Sequence, residues 1–393
     1  MASVNFFPYL LLILVLYFAS SSASAEQSRT LRDCKFEAIY QLGDSIADTG
    51  NLIRENFLTL FARLPYGESF FKPGTGRCSN GLLMIDFIAQ SAGLPLLEPY
   101  LDKSSTFDHG VNFAVAGATA LPTKVLAKRW IFSLFTKSSL NRQVDWMDNH
   151  FSQICENTQD CGKKISNSLF MVGEIGGNDY NYALLEGHSV DEVKTIVPEV
   201  VQVIKDAVKV KFIIFIVTIL NLFLTFFLKF LLQKVIGYGA TRIVVSGNFP
   251  IGCVPIYLTS FETNDKTAYD DLHCLKELND LAAYHNQLLQ HAIEELGNEN
   301  TIMYGDYYNA YQRILRNASS MGFDPTVTHK SCCGSGGDYN FNFLQICGLP
   351  FVPVCSNPDV YVSFDGVHST QKTYSYIAEW LIGDMNLKFK CNA

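Results

Sequence analysis

Five short apolar runs, separated by stretches of helical periodicity, constrain this chain more than any other feature. They cover residues 36–42, 110–115, 168–172, 242–246 and 301–304. Runs of strand length alternating with helices favour an α/β fold in which a mainly parallel sheet is covered on both faces. Between them, residues 191–209 place Val193, Ile196, Val197, Val200, Val201, Ile204 and Val208 at helical spacing, with charges on the opposite side. That is the pattern of a sheet-packing helix. Residues 271–296 carry a longer stripe of the same kind, through Leu272, Leu275, Leu278, Leu281, Leu288, Leu289 and Ile293. Four of the five apolar runs end in clusters of Gly, Asp, Asn or Ser. Open α/β sheets bind ligands just beyond the carboxyl ends of their strands, so chemistry is sought in those clusters. Neither an internal repeat nor a Pro/Ser-rich linker divides the pattern, and one domain is expected over residues 26–393.

Composition narrows the function. With 393 residues, 48% of them hydrophobic and 17% charged, the chain can bury a sizeable core. A net charge of −8 and the lack of Lys/Arg-rich runs argue against nucleic acid as a partner. An apolar stretch at 6–18, followed by Ala23-Ser24-Ala25, reads as a secretory signal over residues 1–25. No Lys or Arg precedes that stretch, which leaves a membrane anchor as the alternative. All eleven cysteines lie beyond the cut, as expected for a chain that meets an oxidising compartment. Cys155 and Cys161 are close enough to bridge locally, the group from Cys332 to Cys355 could staple a loop, and the odd total leaves a thiol over. Paired C-x-x-C spacing is missing, so no zinc site or other metal is expected. Asn317-Ala318-Ser319 is an N-glycosylation sequon, a pattern that also arises by chance.

Gly43-Asp44-Ser45 follows the first apolar run directly, which puts Ser45 on a turn at a strand end. Serine alone is a poor nucleophile at neutral pH and needs a base. In Asp365-Gly366-Val367-His368 a carboxylate stands three residues before an imidazole and can hold its Nδ1, so that Nε2 takes the serine proton. Acyl transfer also needs donors for the oxyanion. The glycine-containing stretch 110–118, with Gly117, and Gly176-Gly177-Asn178-Asp179 could supply them. Each of these motifs alone could equally be a tight turn; their combination favours chemistry. His273, His285 and His291, on the long helical stripe, read as solvated or core residues.

These residues also carry a resemblance. Gly43-Asp44-Ser45-Ile46-Ala47-Asp48-Thr49-Gly50-Asn51 resembles the first block of the plant GDSL esterase/lipase family, a branch of the SGNH hydrolases. The stretch 110–118, Gly176 to Asp179 and Asp365 to His368 are similar to its later blocks, in the same order. Asn248-Phe249-Pro250-Ile251-Gly252-Cys253 and Cys332-Cys333-Gly334 resemble stretches of plant members. The resemblance implies a flavodoxin-like three-layer α/β/α fold and hydrolysis of carboxylic esters without metal or cofactor. It implies Ser45, Asp365 and His368 as the triad, and Ser45, Gly117 and Asn178 as the oxyanion hole. Ile46 stands where the family name has leucine, a conservative change. Residues 36–42 are similar to the sinapine and acetylajmalan esterase branch, which implies small acylated metabolites, or acylated glycans, as substrates; the secretory signal makes the expected location extracellular, with the cell wall or the vacuole as destinations. The same triad could instead transfer acyl groups to another hydroxyl, and a silent ester- or glycan-binding isoform is the non-enzymatic alternative.

Residues 210–233 do not fit. They are apolar on every side and long enough to span a membrane. A single span would put Ser45, Gly117 and Asn178 on one side and Asp365 with His368 on the other. The segment is therefore expected to be a re-entrant hairpin, a buried extra helix or, the preferred reading, a translated intron or splice product absent from the functional protein. Membrane contact follows only if it is real.

Overall fold

The computed structural model describes residues 30–156, 158–208, 240–297 and 301–391. The expected signal at 1–25 and the apolar segment at 210–233 both lie outside the described residues.

Five strands, β1 (Ala38–Leu42), β2 (Gly110–Asn112), β3 (Ser168–Val172), β4 (Arg242–Ser246) and β5 (Ile302–Gly305), form one sheet in the order β2-β1-β3-β4-β5. Every pairing is parallel, with Leu42 opposite Val172 and Gln41 opposite Asn112 and Met171. Because side chains alternate across a strand, each strand feeds two cores. Tyr40, Phe170, Val172, Ile243 and Val245 pack with residues of α3 (Leu140–Ile154), α5 (Val197–Val208) and α6 (Lys276–Glu295). Ile39, Leu169, Met171, Val244 and Met303 pack with α2 (Met84–Ala92), α7 (Tyr307–Arg316) and α8 (Gln371–Phe389). The result is the three-layer α/β/α architecture that the resemblance implies. Two further helices matter below, α1 (Asn51–Glu55) and α4 (Gly177–Leu185). β2 lies against β1 so closely that a Cβ on Gly110 would fall 1.8 Å from the Ile39 carbonyl oxygen, and only glycine fits there.

Two expected helices are shorter than their periodicity suggested. Residues 191–209 divide into Val190–Lys194 and α5, because Pro198 lacks an N–H and is tolerated only in a first turn. In 271–296 the helix starts at Lys276. Before it, the Asp270 carboxylate binds the N–H groups of Leu272 and Cys274, and Cys274 is bridged to Cys253.

Disulfides also join Cys155 to Cys161, Cys332 to Cys355 and Cys333 to Cys347, while Cys34 to Cys391 ties the first described turn to the last. Cys78 is free and buried. Beside it the Arg77 guanidinium makes two 2.8 Å bonds to Asp86, with both residues buried, and Asp86 Oδ2 also takes the Leu83 N–H at the start of α2. Removing one member of a buried ion pair strands the other charge. Arg77→Ala is therefore expected to lower the unfolding free energy by about 3–5 kcal/mol, read from the urea midpoint.

Candidate active site

The strand order reverses direction between β1 and β3, and that crevice is where open α/β sheets bind ligands. β1 leads through Gly43 and Asp44 into Ser45. The Asp44 carbonyl accepts the Ala47 and Asp48 N–H groups at 3.2 and 2.9 Å, while its Oδ1 accepts the Ile46 N–H at 3.0 Å. This tight turn presents Ser45. Gln143 on α3 clamps its base, accepting the Gly43 N–H at 2.8 Å and donating to the Gly43 carbonyl at 2.7 Å. The Asp48 carboxylate takes the N–H groups of Gly50, Asn51 and Leu52 at the start of α1, and that of Ala116 at 2.8 Å. Asp48 thus fastens the Ser45 turn to the Gly117 loop. Burial raises its pKa, and these four N–H groups oppose the rise.

At the other end of the sequence, Asp365 Oδ2 lies 2.7 Å from His368 Nδ1. Its Oδ1 accepts the backbone N–H groups of Val367 and His368 at 2.9 and 2.7 Å. Both side chains are buried. Burial alone would raise the Asp365 carboxyl, but the His368 ring and the two backbone donors outweigh it and hold the carboxyl below its ordinary value. Tyr66 completes the arrangement, its hydroxyl donating to Asp365 Oδ2 at 2.8 Å. Phe61 meets the His368 ring edge-on, 5.8 Å between centroids.

The two glycine-containing stretches reach the same place. Gly117 has φ +81, and a Cβ there would lie 2.7 Å from Phe135 and 3.0 Å from the Tyr182 hydroxyl, which donates to the Gly117 carbonyl. Asn178, at the start of α4, donates from Nδ2 to Asp44 Oδ2 and to the Ala118 carbonyl, both at 3.0 Å. Among the described residues, the Ser45 and Gly117 N–H groups have no hydrogen-bond acceptor. Ser45, Gly117, Asn178, Asp365 and His368 line one cavity of about 710 Å³.

A model of the family described as GDSL-like Lipase/Acylhydrolase matches residues 39–381. Acetylajmalan esterase 1 of Rauvolfia serpentina is 41% identical over 367 residues, covering 91% of this chain and 89% of that protein. GDSL esterase/lipase At1g28590 of Arabidopsis thaliana is 39% identical over 391 residues, covering 97% and 90%. The chain belongs to the GDSL-like lipase/acylhydrolase family.

It is thus a carboxylic ester hydrolase of the GDSL esterase/lipase type. In this GDSL enzyme the mouth of the cavity is apolar, with Leu58, Leu134, Phe135, Leu185, Phe343 and Ile346 both lining it and exposed. Leu134 is 75% exposed, and Phe57 and Leu344 add to the exposed apolar side chains near these positions in sequence. Its buried lining also includes the polar groups of Asp44, Glu174, Asn248 and Tyr257. The Asn248 amide and the Tyr257 hydroxyl are buried there without a partner among the described residues.

Of the three helix-stripe histidines none lines the cavity. His285 is buried with its Nδ1 2.7 Å from the Tyr180 hydroxyl, and burial pushes it down to about 3, so it is neutral. His291 is exposed beside Glu294, and His273 is exposed at a turn with φ 59. Gln143, Tyr66 and Glu174 escaped the sequence reading. None belongs to a motif that marks it, and Tyr66 meets Asp365 across 299 positions.

Proposed function

We propose that this enzyme cleaves its ester through an acyl-enzyme on Ser45. The Asp365–His368 pair, in one cavity with Ser45, is the observation that carries this reading. Asp365 holds the Nδ1 proton, which leaves Nε2 to take the proton from the Ser45 hydroxyl as its oxygen attacks the ester carbonyl. The oxyanion is received by the Ser45 and Gly117 N–H groups and by the Asn178 amide. In the resting site Asn178 shares its protons with Asp44 and the Ala118 carbonyl. A full oxyanion is the stronger acceptor and competes for the proton held by that carbonyl. Collapse expels the alcohol, which takes the proton from His368, and water then attacks the acyl-enzyme by the reverse route. No step calls on a metal or cofactor. Asn178→Ala is expected to lower kcat about 10² to 10³-fold with little change in KM, measured by steady-state kinetics.

An apolar mouth suits an ester whose alcohol portion is bulky and apolar, and three of the similar proteins bear the name acetylajmalan esterase. The substrate we propose is accordingly a short-chain ester of a small, largely apolar plant metabolite. Five disulfides, the apolar N-terminal stretch of the sequence and the exposed sequon at Asn317 support a secreted protein, carried as far as the cell wall or the vacuole. Among the described residues no helix is long and apolar enough to cross a membrane. Residues 210–233 are proposed to be absent from the functional protein. The test is intact-mass detection of a fluorophosphonate adduct, on protein with and without that segment, each beside its Ser45→Ala control. An adduct lost in the controls is expected; absence of an adduct from both folded forms would overturn the reading.

A further inference from the structure

Two carboxyl groups meet beneath Ser45, and the triad uses neither. Asp44 follows β1, Glu174 follows β3, and the two are 2% and 5% exposed. Their side chains are hydrogen-bonded to each other. Such a bond needs a proton between the two oxygens, because paired carboxylates this deep repel one another. Burial pushes both groups above the ordinary carboxylate range, and the charge of Glu174 adds to the rise at Asp44.

The remaining bonds tie the pair to both turns. Asp44 accepts the Ile46 N–H through Oδ1 and the Asn178 amide through Oδ2, both at 3.0 Å. Glu174 accepts the Gly177 N–H through Oε1 at 3.0 Å. The bond between the two carboxyls holds one proton, so the pair carries a single negative charge while each group keeps its own N–H donors. The backbones meet as well, the Asp44 N–H donating to the Glu174 carbonyl at 3.2 Å. Asp179 is the other carboxyl facing the pair, and its oxygens are taken by the Ala120 and Leu121 N–H groups. The hydroxyls of Tyr180, Tyr182, Tyr257, Tyr307 and Tyr374 and the Cys78 thiol also face it; burial pushes all of them up, and they are neutral.

We propose that Glu174 is a positioning residue for ester hydrolysis: hydrogen-bonded to Asp44 on one side and to the Gly177 N–H on the other, it locks the Ser45 turn to the Asn178 turn and fixes the Asn178 amide for the oxyanion. This rests on the roles proposed above for Ser45 and Asn178.

The test compares Glu174→Gln with Glu174→Met in the full chain, with p-nitrophenyl acetate as substrate and Ser45→Ala as control. Glutamine keeps both bonds, its NH₂ donating to Asp44 and its carbonyl accepting from Gly177, and kcat should stay within about threefold of wild type. Methionine has similar volume but neither bond, and kcat should fall about 10 to 100-fold with KM within about twofold, as expected when a catalytic group is misplaced by about an ångström. Asp44→Asn should fall with it, because an NH₂ on residue 44 would face either the Asn178 NH₂ or the Ile46 N–H; it serves if the methionine variant does not fold. Equal losses in the glutamine and methionine variants, or wild-type kcat in either the methionine or the Asp44→Asn variant, overturn the proposal. Activity surviving in Ser45→Ala would instead sink the triad reading, whatever the Glu174 variants do.

Discussion

Ser45→Ala is expected to lower kcat by about 10⁴ to 10⁶-fold, with KM little changed and the fluorophosphonate adduct abolished. The magnitude follows from what the hydroxyl alone supplies. Without it no acyl-enzyme forms, and hydrolysis falls back on water held near the oxyanion donors, whose stabilisation persists. The fold should be indifferent to the change. Ser45 is only 8% exposed, but among the described residues its hydroxyl makes no hydrogen bond, and the turn around it is held by Asp44, Gln143 and Asp48 through backbone groups. Melting temperature and far-UV circular dichroism of the variant should therefore match wild type. A loss below tenfold in kcat would remove Ser45 from the nucleophile's place.

The sheet was legible because parallel strands are buried on both faces and read as continuous apolar runs. All five were found to within a few residues, whereas the helices were over-extended where Pro198 and the Cys253–Cys274 bridge interrupt a periodic pattern. Periodicity reports which face is buried, and it is blind to where a chain bends. The blocks around Ser45, Gly117, Asn178 and His368 were legible as motifs, since glycine and short polar residues crowd the ends of strands. What holds those blocks together was not. Tyr66, Gln143 and Glu174 act through one or two hydrogen bonds to distant parts of the chain, and an isolated Tyr, Gln or Glu carries no signal of that. Asp48 and Asn51 stood inside a motif, yet their work is structural. Asn51 donates to the Asn112 and Ala114 carbonyls, so the first block also fixes the loop that leads to Gly117. The link between Cys34 and Cys391 lay beyond reach for the same reason, because eleven cysteines allow too many pairings for spacing to choose among them.

Asp365→Asn should lower kcat by about 10⁴-fold while leaving the fold intact, and the reason lies in which oxygen the amide must replace. Oδ1 accepts two backbone N–H groups, from Val367 and His368, and an NH₂ cannot sit there. The asparagine must therefore keep its carbonyl oxygen at that position and turn its NH₂ toward His368 Nδ1 and the Tyr66 hydroxyl. Tyr66 can adapt by accepting instead of donating. His368 can adapt only by presenting a bare Nδ1, which moves its proton to Nε2, the nitrogen that has to receive the Ser45 proton. The base is then blocked although every heavy atom remains in place. Kinetics at neutral pH should show the loss almost wholly in kcat, and ¹⁵N resonances of the His368 ring should show the proton moved from Nδ1 to Nε2. A kcat within tenfold of wild type, or a ring still protonated at Nδ1, would show that Asp365 does not set the tautomer, and the base would have to be sought elsewhere along the cavity.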